Sequence, residues 1–328
     1  MRTRVLVTGA GGFIGHHLTK RLKREGAWVR GVDVKLPLYE PSPADEFELL
    51  DLRQWPNCLQ ATRGIDECFN LAANMGGIGF ITQHKAEIMR DSVLINTHML
   101  EAARINGIKK YLFSSSACVY PGYRQTSTEA TPLKEKDAYP ADPEDGYGWE
   151  KLFTERMCRH YWEDYGLHTH VVRFHNMFGP LGTYDGGREK APQAICRKVA
   201  LVADGGEIEV WGDGKQTRSY CYVDDTVEGV LRLMRSDWHE PINLGAVRLV
   251  TVDELVDMVA TIAGKRVVRR YDLAKPQGVR GRNSDNAMLR RVLGWEPQVP
   301  LEEGLARTYW WIHEQLVKAG KVREAALR

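Results

Sequence analysis

Five side chains of this sequence have types and spacings that could move hydrogen to and from carbon. Tyr147 and Lys151 are four residues apart, so on a helix they would lie on one face. Ser116 ends a run of three serines, Cys118 follows it closely, and Lys190 lies in the run Gly-Gly-Arg-Glu-Lys-Ala-Pro. A phenol, whose pKa is ordinarily about 10, needs a nearby cation to act as a base near neutral pH. A Ser, Tyr and Lys could move a hydride, whereas an added thiol and ammonium could also move protons on carbon.

Cys118 is the residue whose type most limits the reactions that the site could carry out. It follows Ser116 by two positions in a strand-like segment, so we expect both side chains to point to the same side. A thiol with a pKa of about 8.5 needs a cationic neighbour to be reactive, and Lys190 would be one. By composition alone Cys118 could be a small buried hydrophobic residue and Lys190 a solvated loop lysine. The serine beside Cys118 favours a chemical role for the thiol.

A glycine-rich turn near the amino terminus predicts a dinucleotide site. Gly9, Gly12 and Gly15 follow an apolar strand and open a helix, where backbone N–H groups and the helix dipole favour a pyrophosphate. Asp33 ends the next strand, where a carboxylate would hydrogen-bond the ribose hydroxyls and repel a ribose phosphate. We therefore expect NAD rather than NADP. Lys35 and Arg30 lie nearby and could attract a ribose phosphate, so NADP stays an alternative. A strand-end cap is the alternative role for Asp33.

Further cofactor contacts are expected on either side of the first helix. Phe13 and Ile14 open that helix, and Asp51 ends the third strand beside the adenine position. Leu71 and Ala73 belong to a stretch of small residues after the fourth strand, along which a cofactor could lie.

The elements that must position these residues alternate between strands and helices. Strands are predicted at 4–8, 27–32, 47–50, 67–72 and 111–114, and helices at 13–25, 88–106, 252–263 and 301–320. Such alternation indicates right-handed crossovers and a parallel sheet covered on both faces, an α/β doubly wound fold. After Arg173 the rhythm loosens. We expect a cofactor-binding domain at 1–173 and, at 174–328, a smaller, partly interleaved C-terminal substrate lobe with segments that return to the first domain.

Composition excludes several classes of protein. The 328 residues are 43% hydrophobic and 27% charged, with a net charge of +2, so nothing indicates nucleic acid or an anionic membrane as a partner. The six cysteines form no CxxC pair and no cluster with histidine, which favours reduced thiols and no metal site. No apolar stretch has the length of a signal peptide or a membrane span. We expect a cytoplasmic protein.

Together, the glycine turn, the serine strand end and the Tyr/Lys pair resemble the extended short-chain dehydrogenase/reductase family over essentially the whole chain. The resemblance implies a Rossmann-type sheet with NAD as the cofactor. It also implies that Tyr147 is the acid/base for a sugar hydroxyl and that Ser116 orients the reacting oxygen. Lys151 would lower the pKa of Tyr147 and hold the nicotinamide ribose.

Within that family the closer resemblance is to the GDP-mannose 3,5-epimerases. It is carried by residues 75–80, 115–118, 173–176, 186–192, 216–219 and 278–285. It implies GDP-mannose as the substrate and Cys118 and Lys190 as the base/acid pair. Substrate contacts would come from Gly76, Ser116, Ala117, Cys118, Asn176, Glu189, Lys190, Ala191, Lys198, Gln216, Thr217, Arg218 and one of Arg280 or Arg282, with Arg282 preferred. The apolar faces of two helices, near 89–103 and 149–161, suggest a homodimer, as in relatives.

Three alternatives stay open at the level of sequence. A nucleotide-sugar 4-epimerase would need no Cys/Lys pair. A 4,6-dehydratase of this family resembles the chain, but it would have an Asp-Glu pair where Ala117 and Cys118 stand. A Rossmann-type binding protein without catalysis would be expected to lose Tyr147 or Lys151, and both are present. Residue types do not fix the ratio of galactose to gulose product, nor do they identify a residue that reads guanine.

Overall fold

The computed structural model describes residues 2–323 and contains a central parallel sheet of seven strands. The strand order is β11-β6-β5-β4-β1-β2-β3, and every neighbouring pair is parallel. Its members are β1 Arg4–Thr8, β2 Trp28–Asp33, β3 Glu46–Leu49, β4 Glu67–Asn70, β5 Lys110–Ser116, β6 His168–Phe174 and β11 Ile242–Leu244. The predicted doubly wound parallel sheet is confirmed, because strand order reverses direction beside β1.

Helices cover both faces of the sheet and build the rest of the chain. They are α1 Phe13–Arg24, α2 Trp55–Thr62, α3 Ile78–Gln83, α4 Lys85–Ile105, α5 Asp145–Tyr165, α6 Ala191–Leu201, α7 Val223–Arg235, α8 Val252–Ala263, α9 Ala287–Leu293 and α10 Leu301–Lys318. The predicted helices at 13–25, 252–263 and 301–320 agree with α1, α8 and α10 to within two residues. Apolar side chains at helical spacing explain this agreement, since they face one core. In the part of the chain that the structure describes, no helix is long and apolar enough to span a membrane.

Small sheets lie beside the central one in the second half of the chain. They pair β7 Met177–Phe178 with β10 Cys221–Tyr222, and β8 Glu207–Trp211 with β13 Val268–Asp272. A third sheet has the order β12-β9-β14, formed by Val250–Thr251, Thr217–Arg218 and Gly281–Arg282. The chain returns to the central sheet between these pieces, because β11 pairs with β6. The carboxyl ends of β1, β4, β5 and β6 therefore face loops from both halves of the chain.

A buried ion pair fixes the two strands that carry the chemistry. Arg173 on β6 is bidentate to Glu155 of α5, with N–O distances of 2.9 and 2.7 Å. Its other nitrogen donates to the Tyr120 hydroxyl at 3.1 Å and to the Glu135 carbonyl at 2.7 Å. The Ser115 hydroxyl also donates to the Glu155 carboxylate. Since Ser115 precedes Ser116 on β5, this network ties the end of β5 to α5.

Candidate active site

Because glycines form the turn between β1 and α1, a bound ligand can approach the protein backbone closely there. Gly9 has a φ of +68°, which favours glycine. A Cβ on Gly15 would lie 2.2 Å from the Gly9 carbonyl oxygen, and one on Gly11 would lie 2.3 Å from that of Lys35. Gly12 caps α1 without a side-chain hydrogen bond, so the N–H groups of the first turn remain available. This turn, which runs into a helix beginning at Phe13 and Ile14, fits the pyrophosphate of a dinucleotide.

Asp33 lies at the end of β2 beside this turn. Its carboxylate accepts hydrogen bonds from the backbone N–H groups of Gly11 at 3.0 Å, Val34 at 2.7 Å and Lys35 at 3.2 Å. Burial raises the pKa of Asp33, and these three hydrogen bonds oppose that rise. The residue therefore caps the strand end, which was its alternative role, and also presents a carboxylate next to the glycine turn.

The remaining predicted cofactor contacts border the same turn. Asp51 is held by Arg53, whose side chain donates to it at 3.0 Å, and this hydrogen bond lowers the pKa of Asp51 despite partial burial. β4 ends at Asn70, two residues before the predicted end, because Leu71 N–H instead donates to the Thr8 hydroxyl at 3.1 Å. Leu71 and Ala73 consequently lie in the loop after β4, beside the end of β1.

Tyr147 and Lys151 lie in the first two turns of α5, as predicted. Both are almost fully buried, and the Lys151 ammonium nitrogen is 5.5 Å from the centre of the Tyr147 ring. Burial raises the pKa of Tyr147 well above its ordinary value, negative charge on Cys118 and Glu150 raises it further, and the nearby Ser116 hydroxyl lowers it. The Tyr147 hydroxyl itself donates to the Met75 sulfur at 3.4 Å. Burial therefore has the largest influence on this phenol, and the predicted role of Lys151 in lowering the pKa of Tyr147 stays a prediction.

The structure corrects the predicted geometry of Cys118. β5 ends at Ser116, and Ala117–Val119 form a 3-10 turn, so strand alternation does not relate the two side chains. Instead the Cys118 N–H donates to the Ser116 hydroxyl oxygen at 3.2 Å. The thiol nevertheless lies near Tyr147 and Lys190, since a negative charge on it would raise the pKa of both groups. The short turn therefore brings thiol and serine together in place of a continuous strand.

The start of α5 packs directly onto the Cys118 turn. The Glu144 N–H donates to the Cys118 carbonyl at 3.1 Å. A Cβ on Gly148 would lie only 2.3 Å from the same carbonyl oxygen. One backbone contact thus sets the distance between the helix that carries Tyr147 and the turn that carries the thiol.

Arg282 is a cation beside the thiol that sequence reasoning did not place there. Its Nη1 is 3.7 Å from the Cys118 sulfur, and its other nitrogens contact Gln125 and Glu144. The sequence assigned Arg282 to the nucleotide sugar and named only Lys190 as the cationic neighbour of the thiol. The sequence placed Arg282 near the site only through the resemblance at residues 278–285. Its other partners, Glu144 and Gln125, belong to no recognisable motif.

Lys190 caps the amino terminus of α6 and is half-buried. Burial lowers the pKa of Lys190, and negative charge on Cys118 opposes that shift. The preceding backbone is held against another loop, because the Gly77 N–H donates to the Arg188 carbonyl at 3.1 Å. A Cβ on Gly77 would lie 2.4 Å from the Glu189 carbonyl oxygen. The segment that carries Lys190 is therefore fixed against the loop before α3, with its ammonium group within electrostatic range of the Cys118 thiol.

The family of this chain follows from comparison with known proteins. The sequence profile of the NAD dependent epimerase/dehydratase family matches residues 5–245. The chain belongs to this family. Among curated relatives, GDP-mannose 3,5-epimerase of Arabidopsis thaliana is 49% identical over 96% of this chain and 83% of its own length. GDP-mannose 3,5-epimerase 1 of Oryza sativa subsp. japonica is 48% identical over 97% of this chain and 83% of its own length.

Solved structures with the same fold match nearly the whole chain. UDP-glucose 4-epimerase of Thermotoga maritima, solved with UDP-glucose, has a TM-score of 0.85 and 26% identity, covering 96% of this chain and 100% of its own. MoeE5 in complex with UDP-glucose and NAD has a TM-score of 0.79 and 29% identity, covering 95% of this chain and 99% of its own. The glycine turn of this family member therefore fits NAD by both its family and its local geometry.

The other residues predicted to contact substrate divide into two groups in this epimerase/dehydratase. One group borders the thiol: Ala117 is in its turn, Glu189 and Ala191 flank Lys190, and burial lowers the pKa of Arg218, which Cys118 also influences. Gly76, in the loop before α3, packs against Phe80.

The side chains of the second group form hydrogen bonds with other residues of the chain. The Asn176 amide donates to the Ser219 carbonyl at 3.0 Å, and the Lys198 ammonium donates to the Glu209 carbonyl at 2.7 Å. Side chains of Gln216 and Thr217 bond backbone carbonyls, and Arg280 pairs with Asp213 at 2.8 Å. Of the two arginines that the sequence left open, Arg282 therefore lies beside Cys118, whereas Arg280 is held in an ion pair just before β14.

Proposed function

We propose that this protein epimerises GDP-mannose at carbons 3 and 5 through a transient ketone at carbon 4, with NAD reduced and reoxidised in each cycle. The observation that supports the proposal is the position of the Cys118 thiol, which lies 3.7 Å from the Arg282 guanidinium and near enough to Tyr147 and Lys190 for its charge to influence the pKa of both. Relatives that are 48–49% identical over nearly the whole chain bear the name of this reaction. A 4-epimerase would have no use for that thiol and ammonium.

The first step is oxidation of the hydroxyl at carbon 4. Ser116 orients the sugar oxygen and Tyr147 takes its proton, while Lys151 stabilises the phenolate and holds the nicotinamide ribose. Bound NAD supplies the hydride acceptor for this step and the hydride donor for its reversal. Because the Tyr147 phenol is fully buried, its ionisation depends on cations that the loaded site brings near it.

The second step is inversion at the carbons beside the ketone. A carbonyl at carbon 4 acidifies the hydrogens on carbons 3 and 5, so that a base can remove them as protons. The Cys118 thiolate would remove a proton from one face, and the Lys190 ammonium would return one to the other. A buried lysine of lowered pKa gives up its proton readily, which suits Lys190 as the donor. When carbon 4 is reduced again, Tyr147 would return the proton to its oxygen.

Incubation of the enzyme with GDP-mannose in deuterated water tests this proposal. Deuterium should appear at carbons 3 and 5 of the recovered sugar and not at carbon 4, and the gulose and galactose products give the ratio of single to double inversion. NADH should not accumulate. Inversion at carbon 4 without deuterium on carbons 3 and 5 would show a 4-epimerase, and stoichiometric NADH would show a dehydrogenase.

We further propose a division of roles, an assembly and a compartment. Residues 1–173 would bind NAD and residues 174–328 mainly the nucleotide sugar.

Large apolar side chains on neighbouring faces of α4 and α5 are exposed, among them Met89 at 41%, Trp149 at 45% and Phe153 at 53%, which supports a homodimer through these helices. All six cysteines are free thiols, which suits the reducing cytoplasm. Sedimentation of the Phe153→Glu variant, which should be monomeric, tests the assembly.

A further inference from the structure

Glu150 is a buried carboxylate beside the catalytic lysine that the proposed chemistry does not use. Its side chain is fully buried, and its Oε1 is 3.4 Å from the Lys151 ammonium nitrogen, which is itself only 2% exposed. No hydrogen bond of ordinary geometry reaches that oxygen within the described residues. Burying a carboxylate costs several kcal/mol unless a charge compensates it. The position of Glu150 next to Lys151 therefore needs an explanation.

The second carboxylate oxygen ends a chain of buried hydrogen bonds from the cofactor side. The Thr8 hydroxyl donates to Asn70 at 2.8 Å, the Asn70 amide donates to Asn96 at 3.0 Å, and the Asn96 amide donates to Glu150 at 3.1 Å. Each donor points toward Glu150, so the carboxyl group is placed as an acceptor only. An ionised carboxylate is the form that accepts without donating.

We propose that Glu150 is a positioning residue that holds the Lys151 ammonium in its charged form and directs it toward Tyr147 and the cofactor ribose. The inference rests on the proposed function, because it assigns Lys151 to the hydride step. It adds a residue to that step which touches neither substrate nor cofactor.

The charges around Lys151 support this assignment. Its neighbours are Tyr147 and Cys158 on α5 and the Phe113 ring of β5, whose centre is 4.8 Å from the ammonium nitrogen. None of these is a carboxylate. Glu155, the next acid on the same helix, is engaged by Arg173. Within the described residues Glu150 is thus the acid that pairs with Lys151.

The electrostatic coupling of the pair works in both directions. Burial raises the pKa of Glu150, and the Lys151 ammonium opposes that rise by favouring the carboxylate. By the same attraction the carboxylate stabilises the ammonium group beside it. Removal of the charge on Glu150 would take this attraction from Lys151, and it would also remove the direct effect by which Glu150 raises the pKa of Tyr147. The Lys151 side chain, rather than Tyr147, therefore reports the pairing.

Glu150→Gln and Asn96→Ala separate charge from hydrogen bonding. Glu150→Gln removes the charge but keeps an oxygen that can accept from Asn96, whereas Asn96→Ala removes the hydrogen bond and leaves the carboxylate. The first readout uses protein without cofactor or substrate: the carbon-13 resonance of the Lys151 side chain, assigned by its loss in Lys151→Arg, is titrated with pH. We expect the titration midpoint to fall by about one pH unit or more in Glu150→Gln, and to stay within a few tenths of a unit in Asn96→Ala.

The second readout is formation of bound NADH from GDP-mannose in a Cys118→Ala background, where proton transfer at carbon is blocked. In Glu150→Gln the rate of NADH formation should begin to fall at a lower pH than in the Cys118→Ala parent. At the pH where the parent's rate begins to fall, the rate of the Glu150→Gln variant should be roughly tenfold lower. Glu150→Asp, which keeps the charge, should restore that rate in part. Unchanged Lys151 titration in Glu150→Gln, with NADH still formed, would overturn the role of Glu150 alone. Failure of the parent to form NADH would instead overturn the proposed function, and thermal melts check that each variant folds.

Discussion

The closest contact between the two halves of the catalytic apparatus predicts that Gly148→Ala inactivates the enzyme without unfolding it. A Cβ at position 148 would lie 2.3 Å from the Cys118 carbonyl oxygen and 2.9 Å from the Pro143 Cβ. Carbon and oxygen atoms in contact normally lie about 3.3–3.6 Å apart. The start of α5 would therefore retreat from the Cys118 turn by about 1 Å, because both obstacles are held by backbone.

A displacement of this size has a known kinetic consequence. A 1 Å misplacement of reacting groups costs about a hundredfold in rate, and here it separates Tyr147 from Ser116 and Cys118 together. Alanine is a better helix former than glycine by about 1 kcal/mol, so the helix itself should not be weakened. We expect kcat for epimerisation to fall about a hundredfold, while the melting temperature changes by a few degrees at most.

The assay follows product formation from GDP-mannose and deuterium wash-in under the same conditions. Gly122→Ala is the matched control, because Gly122 lies in the neighbouring 3-10 segment Gly122–Arg124 and a Cβ added there would meet no heavy atom within 4 Å. That variant should keep wild-type turnover. Wild-type kinetics in Gly148→Ala would refute the reasoning, since the contact with Cys118 would then not set the geometry of the site.

Three further outcomes are expected. Tyr147→Phe should reduce oxidation and isotope exchange together by at least about a hundredfold, and exchange at the wild-type rate would exclude carbon 4 oxidation as the entry step. Cys118→Ser and Lys190→Ala should lose deuterium wash-in at carbons 3 and 5 but still form some bound NADH from GDP-mannose. Full deuterium wash-in in both variants would mean that Cys118 has only a packing role. Burial lowers the pKa of His175 to about 4, so the folded protein binds fewer protons than the unfolded chain below about pH 6.5. His175 alone should therefore account for about 2 kcal/mol of lost stability between about pH 7 and pH 5, and urea unfolding should show the total loss reduced by this amount in His175→Gln but not in a variant of exposed His168.

The sequence predicted the parallel sheet well, because the sheet depends on local patterns, and the spacings that indicated reactive groups are local in the same way. The strand–glycine–helix order at Gly9 and the four-residue spacing of Tyr147 and Lys151 are properties of short segments. Apolar periodicity likewise marked α8 and α10 within two residues.

Contacts between distant segments could not be predicted in the same way. The ion pair of Arg282 with Glu144 joins residues 138 positions apart, and no pattern in either segment indicates the other. The strand assigned to Cys118 failed for a different reason: the Ser116 hydroxyl accepts a hydrogen bond from the Cys118 N–H and starts a turn directly after β5. The burial of Glu150 could not be predicted because a glutamate in a helix is ordinarily solvated.

The return of β11 to the central sheet has a consequence for synthesis of the chain. β6 ends at Phe174, but the strand that pairs with its outer edge begins at Ile242, 68 residues later. At a translation rate of roughly 5–20 residues per second, β6 emerges with an open edge for roughly 3–14 seconds. An open edge of an apolar parallel sheet readily recruits other strands. The nascent protein is thus most prone to aggregation after its cofactor-binding segments exist and before residue 244 has left the ribosome, and that interval is where a chaperone would act.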